Sequence, residues 1–351
     1  MKISTHNDWD PLTEVIVGRA DGARVPTVDV STMSFSYAGR RPEDVRRLEG
    51  PLPDWVIDEA NEDIEQFVDV LCAAGIKVHR PLPTDTGAEF STPEWRTTGW
   101  YTWCPRDLLL PLGNLMIECP SPTRARYFET RAYHHVMLEA IADGVEWIAA
   151  PKPILADNTF TFEDLAKPTL RNLEPVFDAP NIVRVGRDLL FQISNSGNAL
   201  GLRWLKNVLE PRGYRLHVAE HVYSFAHFDS TIIPLRPGLV LLNASRVNPA
   251  NCPPLFARWD KIYFDDIAPR PPAKYGSAWV EPCSPYIGLN VFSLSPDVVC
   301  VDREEGGLIA ALERHGLTCV PLPMRHARFL SGGFHCATLD LSRTGALEDY
   351  C

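Results

Sequence analysis

One unit recurs along this chain: an amphipathic helix, a glycine, and a short apolar strand. In "NEDIEQFVDVLCAAGIKVHRPLP" the residues Ile64, Phe67, Val68 and Leu71 share one helical face ahead of Gly75. "RAYHHVMLEAIADGVEWIAAPKP" repeats the pattern around Gly144, "ALGLRWLKNVLEPRGYRLHV" around Gly213, and "GLIAALERHGLTCVPLP" around Gly316. Each glycine is placed to supply a left-handed helix cap. Gly75 to Gly144 and Gly144 to Gly213 are each 69 residues apart. A degraded copy, "PPLFARWDKIYF", carries Asp260 where a glycine cap would stand. Five helix–turn–strand units are therefore expected, interleaved with strands in "TEVIVG", "DLLLPLGNLMIEC", "DLLFQIS", "GLVLLN" and "NVFSLSPDVVCVD". Equal spacing favours a closed α/β ring of modules over an ordinary α/β sandwich. The 31 prolines sit mostly in loops, and no low-complexity linker divides residues 1–351, so one domain is expected.

Composition narrows the partners. The 351 residues are 45% hydrophobic and 23% charged, ordinary for a globular protein. A formal net charge of −11 with no Lys/Arg block argues against nucleic acid and against an anionic membrane surface. No stretch approaches 18 uninterrupted apolar residues, and "MKISTHNDWD" has no secretory h-region. The nine cysteines form no C-x-x-C pair, and adjacent His134 and His135 diverge too far on a helix to share a metal. The chain reads as cytoplasmic, metal-free and without a cofactor.

Polar residues that interrupt apolar strands mark the chemistry. Asp107 begins a hydrophobic strand in "WCPRDLLLPLG", and Asp178 stands between apolar runs in "EPVFDAPNIVRVGRD". His227 and Asp229 in "SFAHFDSTIIPLRPG" are two apart, which on a strand gives both the same face. Any one of these aspartates alone reads as a turn residue. Cys336 in "GGFHCATLD" reads alone as a packed thiol. Together they form a set. His227 can serve as base to the Cys336 thiol, Asp178 can orient His227, and two further carboxylates, Asp107 and Asp229, suit a guanidinium. Arg246 in "NASRVNP" and Ser284 in "EPCSPYIGLN" can hold a carboxylate. A guanidinium at one end and a carboxylate at the other describe arginine.

These residues resemble those of the arginine:amine amidinotransferases, which include glycine amidinotransferase and the inosamine-phosphate enzymes of aminocyclitol antibiotic pathways. The resemblance runs through "NDWDPLTEVIVG", "PRD", "APKP", "EPVFDA", "GRDLLFQ", "HFDSTIIPLRPGLVL", "GGFHCATLD" and "RTGALEDY". It implies a five-bladed α/β propeller of pseudo-fivefold ββαβ modules around a central site. It also implies Cys336 as nucleophile, His227 and Asp178 as catalytic partners, Asp107 and Asp229 on the guanidinium, and Arg246 on the carboxylate. Many members have two adjacent serines where this chain has Cys283 and Ser284. His335 is expected to face away from the site, with no catalytic role.

The implied reaction is ping-pong transfer of the amidino group of L-arginine through Cys336 to an acceptor amine, releasing ornithine. Glycine-using members carry Met before the catalytic His, whereas this chain has Ala226, which points to a larger acceptor such as an aminocyclitol phosphate. The competing readings are a deiminase-type hydrolase yielding citrulline and a non-catalytic binding protein on the same fold. A homodimer is compatible with the chain.

Overall fold

The computed structural model describes residues 2–268, 280–282 and 284–351, so Cys283 lies outside the described residues. Five three-stranded sheets share one plan: an antiparallel pair, then a third strand parallel to the second. The second sheet is Leu109–Leu112, Leu115–Glu118 and Glu146–Ala149. The third is Ile182–Val185, Asp188–Phe191 and Arg215–Val218. The fourth is Ile232–Arg236, Leu239–Asn243 and Asp260–Phe264, and the fifth is Phe292–Ser295, Val298–Asp302 and Thr318–Leu322. In the first sheet the leading strand is the last of the chain: Thr338–Arg343 pairs with Leu12–Val17, which pairs with Lys77–His79. The two ends of the chain therefore meet in one module.

A parallel third strand needs a crossover, and a helix supplies it in four sheets. In Asp54–Ala73 the buried residues Val56, Ala60, Ile64, Phe67 and Leu71 recur at helical spacing. Burial of each large apolar side chain stabilises by about 1.5–3 kcal/mol. His134–Ala142, Ala199–Leu209 and Gly306–Arg314 do the same for the second, third and fifth sheets. Gly75, Gly144, Gly213 and Gly316 all lie just past these helices at φ between 77° and 88°, where a side chain would be strained. The fourth unit differs from expectation. Its crossover holds only the 3₁₀ turn Pro254–Phe256, and Asp260 is the first residue of a strand rather than a helix cap. Pro249, Pro253 and Pro254 explain the loss, since proline removes the donors that a longer helix needs. Among the described residues no helix is long and apolar enough to cross a membrane.

Apolar packing is subdivided between neighbouring modules, whereas charge ties distant ones together. Asp340, wholly buried in the strand Thr338–Arg343, accepts hydrogen bonds from Arg106 (2.8 Å), Arg184 (2.8 Å) and Arg343 (2.9 Å). Arg106 precedes the second sheet and Arg184 belongs to the third. Arg343 also donates to the Ser293 carbonyl of the fifth at 3.0 Å. Burial alone would raise the Asp340 pKa, but Arg184, Arg106 and Arg343 bring it well below the ordinary carboxylate range. A carboxylate whose folded pKa is depressed contributes stability above its unfolded pKa, near 4, and loses it as pH falls toward the folded value. Asp340→Asn should therefore cost about 3–5 kcal/mol at pH 7, because it leaves buried guanidinium groups uncompensated. Urea unfolding across pH 3–7 checks this: the variant should be less stable at neutral pH and should lose less stability on acidification than the wild type.

Candidate active site

The expected site residues come together, and most precede the leading strand of a module, whereas Arg246 follows the strand Leu239–Asn243. Asp107 ends the 3₁₀ turn Pro105–Asp107, just ahead of Leu109–Leu112. Asp178 caps the turn Ala179–Asn181, ahead of Ile182–Val185. His227 and Asp229 lie in the loop ahead of Ile232–Arg236, and Cys336 in the turn ahead of Thr338–Arg343. The fifth module contributes Asn290, just ahead of Phe292–Ser295. His227 and Asp229 are thus on a loop rather than a strand, yet both reach the Cys336 thiol. His227 meets Asp178 and Asp107, whereas Asp229 meets Cys336.

The Cys336 thiol is enclosed. Its Sγ lies 3.0 Å from Asp229 Oδ2, and its backbone N–H donates to Asn290 Oδ1 at 2.9 Å. Asn290 Nδ2 in turn donates to the Asp229 carbonyl at 3.1 Å, which fixes the distance between thiol and carboxylate. A hydrogen bond with Cys104, burial and the Asp229 charge push the thiol pKa well above its ordinary value, and His227 opposes them. Gly332 is required by this packing. A Cβ there would lie 2.5 Å from Cys104 Sγ and 2.9 Å from Cys336 Cβ.

His227 is held on three sides. Its Nε2 is 3.0 Å from Asp178 Oδ2, its Nδ1 is 3.5 Å from Asp107 Oδ1, and its ring stands edge-on to Phe35 at 5.4 Å. Burial disfavours the imidazolium, but Asp107, Asp178 and the Cys336 contact outweigh it and raise the pKa well above the usual histidine range. Asp107 is itself raised, by burial and by the like charges of Asp178 and Asp229, against the pull of His227 and Arg126. Arg126 grips Asp107 Oδ2 and pairs with both oxygens of Glu129 at 2.7 and 2.8 Å. That leaves Asp107 Oδ1 and Asp178 Oδ1 buried with no hydrogen-bond partner among the described residues. Such atoms are costly unless a ligand or water meets them.

The other end of the cleft is built around Arg246. Its guanidinium donates to Ser224 Oγ (2.8 Å), Thr231 Oγ1 (2.6 Å) and Ser284 Oγ (2.7 Å), and lies 5.4 Å from the Tyr286 ring centroid. No carboxylate pairs with it among the described residues, and burial lowers its pKa to about 10. A buried guanidinium bonded to hydroxyls has the charge and the donors to hold an anion. The cleft is lined by Asp107, Ala226, His227, Asp229, Ser284 and Cys336, with Tyr101, Pro282 and Ile287. Ala226 lines it from a left-handed backbone, φ 61°. Asn195 Oδ1 accepts from the Ala226 N–H at 2.7 Å, and Gln192, Ser194 and Ser196 donate to its carbonyl. This clamp sets the course of the loop that carries His227. Among the described residues no group of three or more His, Cys, Asp or Glu is arranged to hold a metal ion.

Four contributors were not anticipated. Asn290 could have been found from position alone, since it precedes a first strand as Asp107 does. Arg126 and Asn195 carry no local signal, because their roles depend on contacts across loops. His335 stays out of the cleft, as expected, and lines a small one behind it, but its Nδ1 is 3.0 Å from Asp229 Oδ2, the oxygen that also faces the thiol. Residues 334–337 form a turn, so the strand alternation that would turn adjacent side chains apart does not apply.

No family model matches the chain. It is 44% identical over 349 residues to inosamine-phosphate amidinotransferase 1 of Streptomyces glaucescens, covering 99% of each chain. It is 35% identical over 363 residues to the L-arginine:L-lysine amidinotransferase of Pseudomonas savastanoi pv. phaseolicola, covering 99% of this chain and 96% of that one. The solved structure of an inosamine-phosphate amidinotransferase from Streptomyces griseus superposes with a TM-score of 0.92, at 44% identity and 99% coverage of both chains. With residues of this chemistry gathered at one cleft and relatives matching end to end, the chain belongs to the amidinotransferases. It is an enzyme that transfers amidino groups.

The crowding at Gly332 generates a direct expectation. Gly332→Ala should displace Cys336 or Cys104 and cost about 1–3 kcal/mol, the range for overpacking a close-packed site. Urea unfolding measures the cost. Turnover should fall further than the stability loss explains, because the added methyl lies against the Cys336 Cβ.

Proposed function

We propose that the enzyme moves the amidino group of L-arginine to an amine acceptor through a covalent adduct on Cys336, releasing L-ornithine. The observation that carries this reading is the polarity of the cleft. At one end Asp107, with a carboxylate oxygen that has no hydrogen-bond partner, lines the cleft with Asp229 and the buried thiol; at the other Ser284 is bonded to the Arg246 guanidinium, which pairs with no carboxylate among the described residues. The whole chain acts as one catalytic domain in this reading. Its five sheets are taken as blades of a closed ring, with the turns before the leading strands facing the centre.

In the proposed reaction the guanidinium of arginine lies between Asp229 and Asp107, and its carboxylate on Arg246 and Ser284. The free site disfavours the thiolate. A bound cation reverses that by offsetting the Asp229 charge beside the sulfur. Arginine binding releases the thiol proton to solvent, the thiolate sulfur bonds to the guanidinium carbon, and His227, already protonated, gives its proton to the departing nitrogen as the C–N bond breaks, so that ornithine leaves as the amine. An isothiouronium remains on Cys336. The acceptor amine then attacks the same carbon, His227 takes its proton, and the thiolate departs. Asp178 holds the ring and offsets its charge, as an orienting carboxylate does in other His-dependent sites.

For the acceptor we favour a natural-product amine of the aminocyclitol phosphate class. Two observations support it: higher identity to the inosamine-phosphate enzymes than to the lysine-using relative, and the small Ala226 on the cleft wall. Mass spectrometry after incubation with L-arginine and a panel of amines tests the reading. Ornithine should form in step with an amidinated amine. Citrulline in place of an amidinated product would assign the enzyme to the hydrolases.

Two variants separate the ends of the cleft. Arg246→Ala should raise the KM for L-arginine about 10–100-fold, the range for a charged hydrogen bond, and change that for agmatine little, since agmatine has no carboxylate. Equal effects on the two would remove Arg246 from that role. Ala226→Met should slow transfer to a bulky amine more than it slows ornithine release in single-turnover kinetics. Unchanged transfer would remove the argument from cleft size.

A further inference from the structure

Behind the thiol lies a second histidine that the proposed reaction does not use. His335 Nδ1 is 3.0 Å from Asp229 Oδ2, and its Nε2 is 3.5 Å from Asp8 Oδ1. Both ring nitrogens therefore face carboxylate oxygens. The backbone is held as firmly, since Arg106 Nε donates to the His335 carbonyl at 2.7 Å. Asp8 is bound by Arg184 and lies 3.6 Å from Arg106 Nη1. Both arginines also hold Asp340, which Arg343 completes.

We propose that His335 is a positioning residue that keeps Asp229 ionised, aimed and partly neutralised beside the Cys336 thiol. The inference rests on the reading of Cys336 as nucleophile. One oxygen, Asp229 Oδ2, receives His335 on one side and faces Cys336 Sγ on the other. Without the His335 hydrogen bond, the full carboxylate charge would bear on the sulfur and oppose its ionisation. A carboxylate without that donor would also be free to turn away from the guanidinium it is placed to meet. The direction of the Asp229 pKa agrees: burial raises it, yet it lies well below the ordinary range, with the His335 hydrogen bond foremost among the opposing influences. Asp229 also borders both the substrate cleft and a small rear cleft that Asp8 and His335 line. Asp229 is thus shared by the two clefts, and His335 meets it from the rear one.

The test reads the thiol without substrate. Iodoacetamide labelling of the Cys336 peptide is followed against pH by mass spectrometry, because Cys72 and Cys351 are exposed and label independently. His335→Phe should move the labelling midpoint up by about one pH unit, an approximately tenfold slower rate at pH 7, and raise the arginine KM. His335→Asn, which can donate to Asp229 without a charge, should recover much of the KM and little of the labelling shift. Asp8→Asn should shift labelling in the same direction by a smaller amount. A folded His335→Phe protein with the wild-type labelling profile and arginine KM would overturn the proposal. Should that variant fail to fold, wild-type profiles in both His335→Asn and Asp8→Asn would do so. Labelling needs no turnover, so wild-type enzyme that released no ornithine from arginine would count against the proposed reaction and not against this role of His335.

Discussion

Asp340 has no exposure to solvent and three arginines around it, drawn from different parts of the chain. A buried carboxylate of this kind does not add stability in proportion to its contacts, because desolvation offsets much of the attraction. What it imposes is position. Arg106, Arg184 and Arg343 each bond to a neighbouring module or loop as well, so the leading strands of the first, second and third sheets are fixed relative to one another. The site residues stand on the turns just before those strands. Any shift in the charged centre would move Asp107, Asp178 and Cys336 apart.

The arrangement of the site follows from that frame. Five modules of one plan present five turns, and each places a polar side chain at the same point: Asp107, Asp178, Asp229, Asn290 and Cys336. Concentrating four acidic or ionisable groups in a buried cleft raises the pKa of Asp107 and of the thiol. It also makes the empty cleft poorly suited to a thiolate. In the proposed reaction that deficiency has a use, since the cation that restores ionisation is the substrate itself.

Much of this was legible in the sequence because it rests on local rules. The glycines at 75, 144, 213 and 316 announced left-handed helix ends, and the polar interruptions at Asp107, Asp178 and Asp229 mark turns that meet around His227 and Cys336. The fourth module was read too generously, since apolar spacing in "PPLFARWDKIYF" outweighed the prolines that preclude a longer helix there. His227 and Asp229 were assigned a shared strand face from a spacing of two, a rule that fails in the loop they occupy. His335 was turned away from the site by the same strand logic. Arg126, Asn195 and Asp8 were invisible, because each acts on a residue far away in the chain, and one sequence records no such pairing.

The central claim is that Cys336 carries the amidino group between two substrates. Intact mass of the protein after incubation with L-arginine, with no amine acceptor present, tests it most directly. The wild-type chain should gain one amidino group, located on the Cys336 peptide, with one ornithine released per adduct, and Cys336→Ala should gain none. An adduct on another residue, or steady ornithine release from Cys336→Ala, would contradict the account.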